Sequence, residues 1–380
     1  MSRHISEHKA LLIISDTGMY ENKGEIFAFG PVVREIDELQ KKYEHITWIG
    51  FNRPDAKDNK SYKKIQERYT KVIFLKRIGG KSLHSKIKVL IQYPSMFKVI
   101  NNEIKKHNYI HSRAPSQPAL LAMFLSLLYF KKKFWFKYAG SWVDKTSFYY
   151  RFQRFVLKYL RSNAKVTING TWPNQKPQVL TFENPCLNAE DRVTGLKICK
   201  SKKTGKPFEF CFVGNLDSNK GVDLLFEALR GYQSNDIECI HIVGNGILYP
   251  KLLETAKELN VNVLFHGFLS KEALIPIYKR SSFIILPSKS EGFPKVIGEA
   301  MNYGCIPIVT DISCISQYII NETNGYLIAS AQISAIHDAI KRSLSISPEK
   351  QGDMIENNYA RANCFTYSYY VQRITKTVFN

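Results

Sequence analysis

Residues 283–310 read FIILPSKSEGFPKVIGEAMNYGCIPIVT, and this stretch decides the fold. Phe283–Pro287 is an apolar run of the kind that forms a strand buried on both faces. A loop of small and polar residues follows, and Pro294 suits the first turn of a helix, where a missing N–H costs nothing. The helix runs over Pro294–Tyr303, Gly304 closes it, and a second apolar run, Ile306–Thr310, returns as a strand. Strand, loop, helix and strand in that order make the repeating unit of a parallel α/β sheet. Two carboxylates sit where such a sheet binds ligands. Glu291 lies in the loop at the helix mouth, and Glu299 about one and a half turns into the helix. Backbone N–H groups around Gly292–Val296 face the same space and favour an anion. A carboxylate flanking an anion site suits a sugar nucleotide: it accepts paired hydrogen bonds from ribose or hexose hydroxyls while the helix start takes phosphate.

The same alternation extends outward in both directions. After residue 207 it predicts strands at Phe208–Val213, Glu238–Val243 and Val263–His266, with helices at Val222–Gly231, Leu248–Leu259, Lys271–Arg280 and Ile333–Ser343. Before residue 188, strand-like runs fall at Ala10–Ser15, Ile46–Phe51, Lys71–Leu75, Tyr109–His111, Phe134–Tyr138, Val166–Ile168 and Val179–Phe182. Amphipathic stretches at Val32–Tyr43, Lys86–Lys106 and Tyr149–Leu160 separate several of them. Between the halves, 188–207 is poor in large apolar residues, rich in Lys and carries Gly195, Gly205 and Pro207, the composition of a linker. The expected organisation is α/β with two doubly wound, Rossmann-like domains: a basic N-terminal domain over 1–187, the linker, a second domain over 208–348, and a helical tail over 349–380 packing back on the first.

Charge separates the halves further. The 380 residues carry a formal net charge of +21. Residues 1–200 hold 36 basic and 16 acidic residues, against 18 and 17 in 201–380. Nucleic acid, an anionic membrane surface and an acidic small molecule are all candidate partners for such a charge. The seven cysteines are scattered and include no C-x-x-C pair, which points to a reducing compartment and against a zinc site. The first ten residues lack the apolar core of a signal peptide. The longest apolar run, Pro118–Phe130, is too short to span a bilayer, which needs about 20 apolar residues. A cytoplasmic, soluble or peripheral protein is the expectation.

The segment E-G-F-P-K-V-I-G-E-A-M-x-x-G-C-I-P-I-V-T resembles the E-x7-E signature of retaining glycosyltransferases of GT-B fold, specifically family GT4. The likeness covers roughly 208–345 and takes in V-G-N-L-D-S-N-K-G (213–221), I-V-G-N-G (242–246), F-H-G-F (265–268), L-P-S (286–288) and N-G-Y-L-I (324–328). Each alone is weak, but their order and spacing together are specific. The resemblance implies two domains facing each other across a cleft. It implies that Glu291 contacts the hydroxyls of the donor hexose and Glu299 grips the ribose. Lys220 would neutralise the diphosphate, with backbone around Gly292, Phe293, Pro294 and Lys295 holding sugar and phosphate. Gly214, Asn215 and Gly244 would line the nucleotide, and Gly267–Phe268 would border the base. Family members commonly carry Arg where this chain has Asn215, so Lys220 acts alone on the diphosphate or Lys289 or Lys295 substitutes.

In the first half, Tyr109–Pro115 places His111 at the end of a short strand, where members of the family have a histidine touching the donor sugar. Arg113 in the same loop suits an acceptor phosphate or a surface salt bridge, and Gly140, Ser141 and Trp142 mark a second strand end. The long polar Asp16–Gly30 segment reads as an acceptor-side flap. Residues 51–200 hold 30 basic and 8 acidic residues. Within them SFYYRFQRFVLKYLR (147–161) interleaves rings and cations at helical spacing. Two readings stand: a membrane-surface helix, or a domain helix with its aromatic stripe in the core. The resemblance implies a retaining, metal-independent hexosyltransferase of cell-surface polysaccharide synthesis. It would use a UDP-, GDP- or dTDP-sugar and no further cofactor, and act on a lipid-linked saccharide at the inner face of the cell membrane. The alternatives are a sugar-nucleotide epimerase of the same fold and, more distantly, a nucleic-acid-binding protein. No RNP motif or helix-turn-helix supports the last.

Overall fold

The computed structural model describes residues 10–57, 59–66, 70–76, 83–144 and 147–379. The chain divides into two units, residues 1–182 with 371–380 and residues 183–370.

The first unit contains β1 (Ala10–Asn22), β2 (Glu25–Phe29), α1 (Gly30–Gln40), β3 (His45–Asn52), β4 (Tyr62–Lys64), β5 (Thr70–Leu75), α2 (Leu83–Lys106) and β6 (Tyr109–Ala114). It continues with α3 (Gln117–Leu128), β7 (Lys133–Tyr138), α4 (Phe148–Lys158), β8 (Ala164–Ile168) and β9 (Val179–Thr181). Seven of its strands lie parallel in the order β5-β3-β1-β6-β7-β8-β9. The order grows outward on both sides of β1, so the sheet is doubly wound with its switch point between β1 and β6. Three helices share one core face. Met96, Ile100 and Ile104 of α2, Ala119, Ala122 and Met123 of α3, and Leu157 of α4 are buried in one cluster with Leu12, Ile14, Ile110, Phe134, Phe136 and Val166 of the strands.

One segment of this unit differs from expectation. The Asp16–Gly30 flap is a β-hairpin: β1 runs on to Asn22 and returns as β2, in register from Met19↔Ala28 to Asn22↔Glu25. Its turn residues Lys23 and Gly24 both have positive φ, 53° and 79°, which matches the twist of paired strands. Tyr20 stacks on Phe27 with centroids 5.2 Å apart, which favours pairing over a free loop. The apolar run at 118–130 contains α3, whose first turn is capped by Ser116 Oγ accepting from Ala119 N at 3.1 Å.

The second unit contains α5 (Ala189–Ser201), β10 (Phe208–Val213), α6 (Val222–Leu229), β11 (Ile237–Val243), α7 (Tyr249–Ala256), β12 (Val263–Gly267) and α8 (Lys271–Arg280). There follow β13 (Phe283–Leu286), α9 (Lys295–Asn302), β14 (Ile306–Thr310), β15 (Tyr326–Ile328), α10 (Ile333–Leu344) and α11 (Pro348–Arg361). α12 (Tyr367–Thr377) begins in this unit and ends in the first. The six strands are parallel in the order β12-β11-β10-β13-β14-β15, a second doubly wound sheet with its switch point between β10 and β13.

The linker reading of 188–207 is corrected. Asn188 and Asp191 form a capping box, with both hydrogen bonds at 2.7 Å, and α5 follows. The helix is held by polar contacts, which is why its composition lacks large apolar residues. Arg192 lies 3.7 Å over the Tyr359 ring and donates to Asn302 Oδ1 at 2.8 Å, and Lys271 pairs with Asp191. The division between the units falls at 182/183 rather than at a linker. Of the C-terminal tail, residues up to 370 belong to the second unit and 371–380 to the first. There the Phe379 ring meets Tyr109 and Trp135 edge-on at 5.1 and 6.0 Å.

Candidate functional site

In the second unit the loops leaving β10, β11, β12 and β13 open at the carboxyl ends of the strands, where open parallel sheets bind ligands. Backbone hydrogen bonds stitch them together: Gly214 N to Val243 O at 3.0 Å, Leu216 N to Asn245 O at 3.0 Å, Gly244 N to Gly267 O at 2.8 Å and Lys289 N to Asn219 O at 2.7 Å. Gly244 has φ +132°, and a Cβ there would lie 1.8 Å from Gly214 O. Gly221, at φ +68°, would place its Cβ 2.1 Å from Pro287 O. At both places the backbone approaches too closely for any side chain.

Lys220 and Glu291, 71 residues apart, meet at the switch point. The Lys220 ammonium donates to Glu291 Oε1, which also accepts from Ser288 Oγ at 2.8 Å. Their side chains are 22% and 11% exposed, so the pair is partly withdrawn from water. Lys220 is positioned by a turn in which Asp217 Oδ1 accepts from the N–H groups of Asn219 and Lys220, both at 3.0 Å. Asn219 Nδ2 reaches Ser290 O at 3.3 Å and ties that turn to the loop bearing Glu291. Asn215 and Phe268 are exposed at the ends of β10 and β12. Ser288 is the member of the cluster that sequence reasoning missed, although it stands in the quoted L-P-S segment.

Pro294 is the N-cap of α9, with no side-chain cap, and its carbonyl accepts from Ile297 N in the first turn at 3.1 Å. Glu299, in the second turn, is 8% exposed. It contributes to raising the Tyr278 hydroxyl, behind burial, and the Tyr303 hydroxyl, behind burial and Asp191. Phe293 does not offer its ring to a ligand. It is buried, stacked on Phe365 at 4.7 Å and packed against Tyr318 at 4.8 Å, while its carbonyl accepts from Asn184 Nδ2 at 3.2 Å. Its ring and its carbonyl are therefore both engaged within the fold. The N-G-Y-L-I segment also holds its own turn together, since Asn324 Oδ1 accepts from Ile320 N at 2.6 Å and its Nδ2 donates to Tyr318 O at 3.0 Å.

In the first unit the strand-end placement of His111 is corrected. β6 continues to Ala114, so His111 stands in mid-strand and is 0% exposed. Its ring stacks on Trp135 at 3.7 Å, Nδ1 lies 3.3 Å from Trp135 O, and Nε2 has no hydrogen-bond partner among the described residues. Burial first, then the Arg113 cation, pushes its pKa down to about 3, so the ring is neutral. Arg113 is not a loop residue either. With Lys137 it brackets the fully buried Glu35 of α1, at 3.0 and 2.9 Å. A carboxylate on the apolar side of α1, among Val32, Val33, Ile36 and Leu39, was the sequence signal for this cluster. The loop after β7 is held by Arg154 of α4, which donates to Trp142 O and Asp144 O, both at 2.8 Å.

Residues 196–361 match the sequence profile of the family described as "Glycosyl transferases group 1". An uncharacterized glycosyltransferase of Methanocaldococcus jannaschii is 29% identical over 136 residues, 35% of each chain. The lipopolysaccharide 1,6-galactosyltransferase of Salmonella typhimurium is 29% identical over 165 residues, 41% of this chain and 45% of its own. The similarity thus spans about a third to under a half of these relatives' lengths. The Anabaena protein HepE, solved in complex with UDP, superposes over 97% of this chain and 99% of its own, with a TM-score of 0.67 at 14% identity. The chain accordingly has the GT-B fold, and its residues 196–361 are similar to glycosyl transferases group 1.

Proposed function

We propose that this protein transfers a hexosyl unit, with retention of anomeric configuration, from a nucleoside diphosphate sugar to a lipid-linked saccharide in cell-surface polysaccharide synthesis. The observation that carries the reading is the meeting of Lys220, Glu291 and Ser288 at the β10/β13 switch point, beside the start of α9. The UDP bound in HepE supports a nucleotide donor, and the Salmonella relative's lipopolysaccharide product supports a lipid-linked acceptor.

In this reading Lys220 leaves Glu291 for the diphosphate when the donor arrives. The freed carboxylate then receives hexose hydroxyls, and Glu299 receives the ribose. Gly214, Asn215, Gly244, Gly267 and the exposed Phe268 border the nucleotide, and the backbone from Gly292 to Lys295 closes on sugar and phosphate. The bond from the anomeric carbon to the diphosphate oxygen breaks as the acceptor hydroxyl oxygen bonds to that carbon on the same face. The hydroxyl proton passes to the departing phosphate oxygen. Lys220 and the α9 N–H groups, with Lys289 or Lys295 in place of the missing arginine, stabilise the charge that develops and make a metal ion unnecessary. His111 has no surface to offer the donor and acts as a core residue. The site of action is the cytoplasmic face of the cell membrane, with the basic first half toward anionic lipid.

A panel of UDP-, GDP- and dTDP-sugars tests the donor by thermal stabilisation. At a hundred times its Kd the right nucleotide adds about 2.7 kcal/mol. Glu291→Ala and Glu299→Ala should then abolish turnover in a folded protein. Stabilisation by none of the panel, or transfer rates unchanged in both variants, defeats the reading.

A further inference from the structure

Among the described residues no helix is long and apolar enough to cross a membrane, yet the first unit leaves rings exposed in a pattern. On α4 and at its C-cap, Phe148, Phe152, Phe155 and Tyr159 are 78%, 37%, 62% and 57% exposed. At 100° per residue they fall within an arc of about 60°, a straight row along the helix. Gln153 and Leu157, both 0% exposed, mark the opposite side, where α4 meets the core. The core reading of the aromatic stripe is therefore inverted: the rings face outward. They are also ordered in pairs, Phe148 with Phe152 at 6.4 Å and Phe155 with Tyr159 at 5.0 Å.

The row has neighbours. α3 and α4 pack on the same core cluster, so their outer faces belong to one helical layer. On α3 and just after it, Phe124, Leu128 and Phe130 are 45%, 68% and 58% exposed. Cations border the apolar ground: Arg151 and Lys158 flank the row within about 80° on one side, and Lys131 and Arg161 follow the ends of the two helices. Large exposed apolar ground of this kind marks an interaction surface.

We infer that this face of α3 and α4 docks on an anionic lipid surface, the rings entering the headgroup layer and the flanking cations meeting lipid phosphates. The inference rests on the proposed function, which sets the basic first half toward anionic lipid, and names the face that makes the contact. Charge complementarity selects the occupant. A second copy placed face to face would set Arg151, Lys158 and Arg161 against their equivalents, in a region with 30 basic and 8 acidic residues. Nucleic acid would satisfy the cations but leaves Leu128 and Phe130 without a use.

The test is cosedimentation of the full chain with vesicles of phosphatidylcholine alone and with phosphatidylglycerol. Comparison variants are Phe148→Ser/Phe155→Ser, the milder Phe155→Ser, and Arg151→Glu/Lys158→Glu. Binding to the anionic vesicles should fall at least about tenfold in the ring pair and in the charge pair. Only the charge-dependent part should weaken with added salt. Tm and nucleotide-induced stabilisation should stay at wild-type values in every variant, which keeps the donor reading separate. Wild-type vesicle binding by both double variants overturns the assignment of the face. Failure of the wild-type chain to bind, binding of single-stranded DNA but not vesicles, or a dimer in sedimentation that Phe155→Ser dissolves, overturns the lipid partner.

Discussion

Replacing Glu291 by Gln should separate nucleotide binding from sugar transfer, because the Lys220 ammonium is already engaged before any donor arrives. The pair is neither a surface contact nor a buried one, with side chains 22% and 11% exposed. Exposed pairs contribute about 0.2–1 kcal/mol and hydrogen bonds to charged groups about 1.5–3 kcal/mol. A diphosphate that recruits Lys220 must first offset a cost near the boundary of those ranges, about 1 kcal/mol. Glutamine keeps an acceptor for Ser288 Oγ but removes the charge that holds Lys220. Titration calorimetry with the nucleoside diphosphate lacking its sugar should therefore show affinity in Glu291→Gln rising about fivefold. With the complete donor, transfer should be lost, because the carboxylate proposed to receive the hexose is gone. Lys220→Met should weaken the diphosphate about tenfold or more. The affinity gain should shrink as salt rises, since salt also weakens the pair in the wild type. If the diphosphate binds more weakly to Glu291→Gln than to the wild type, Glu291 orients Lys220 for the ligand instead of competing with it. The exchange mechanism is then refuted.

Other expectations can be checked on the same protein. Gly244→Ala forces a Cβ to within 1.8 Å of Gly214 O at φ +132°, so it should destabilise the second unit by about 1–3 kcal/mol or more and lower nucleotide affinity. Chemical denaturation and nucleotide titration read the two effects. Gly195→Ala would stabilise a solvated helix by up to about 1 kcal/mol. Here its Cβ would meet Asn302 O at 2.3 Å, so the sign should reverse and Tm should fall. His111, with its pKa lowered to about 3, refuses a proton that the unfolded chain accepts below about 6.5. Its contribution is complete above about pH 6.5 and is lost toward pH 3, at up to about 1.4 kcal/mol per pH unit. His111→Gln should be less stable at pH 7 but show a flatter acid limb in pH-dependent unfolding.

Much of the architecture was legible because the central strands of both sheets are parallel and buried. A strand covered on both faces must be a continuous apolar run, and Phe208–Val213 and Ile306–Thr310 end in the structure where their composition changes. Segments held by polar or aromatic contacts were not legible. α5 passed for a linker because its stability lies in a capping box and in partners 80 to 167 residues away, Lys271, Asn302 and Tyr359. The hairpin of β1 and β2 passed for a flap because its pairing rests on Tyr20 against Phe27 and on two left-handed turn residues. At the site, spacing and resemblance singled out Glu291 and Lys220 separately. That they bind each other needed the fold of the loops.

By itself the sequence determined two α/β halves, the charged character of the first, and the segment that resembles a nucleotide-sugar site. Those are properties of composition, of period and of short motifs, which local physics controls. Tertiary structure decided which side of a residue faces water. His111, placed by its neighbours at a strand end, lies at full burial under Trp135 because β6 runs three residues farther. Phe148, Phe152, Phe155 and Tyr159, an aromatic stripe that periodicity alone assigns equally to core or surface, point outward because Gln153 and Leu157 occupy the inner side of α4. Periodicity defines the faces of a helix, but only the neighbours against which it packs choose the one to bury.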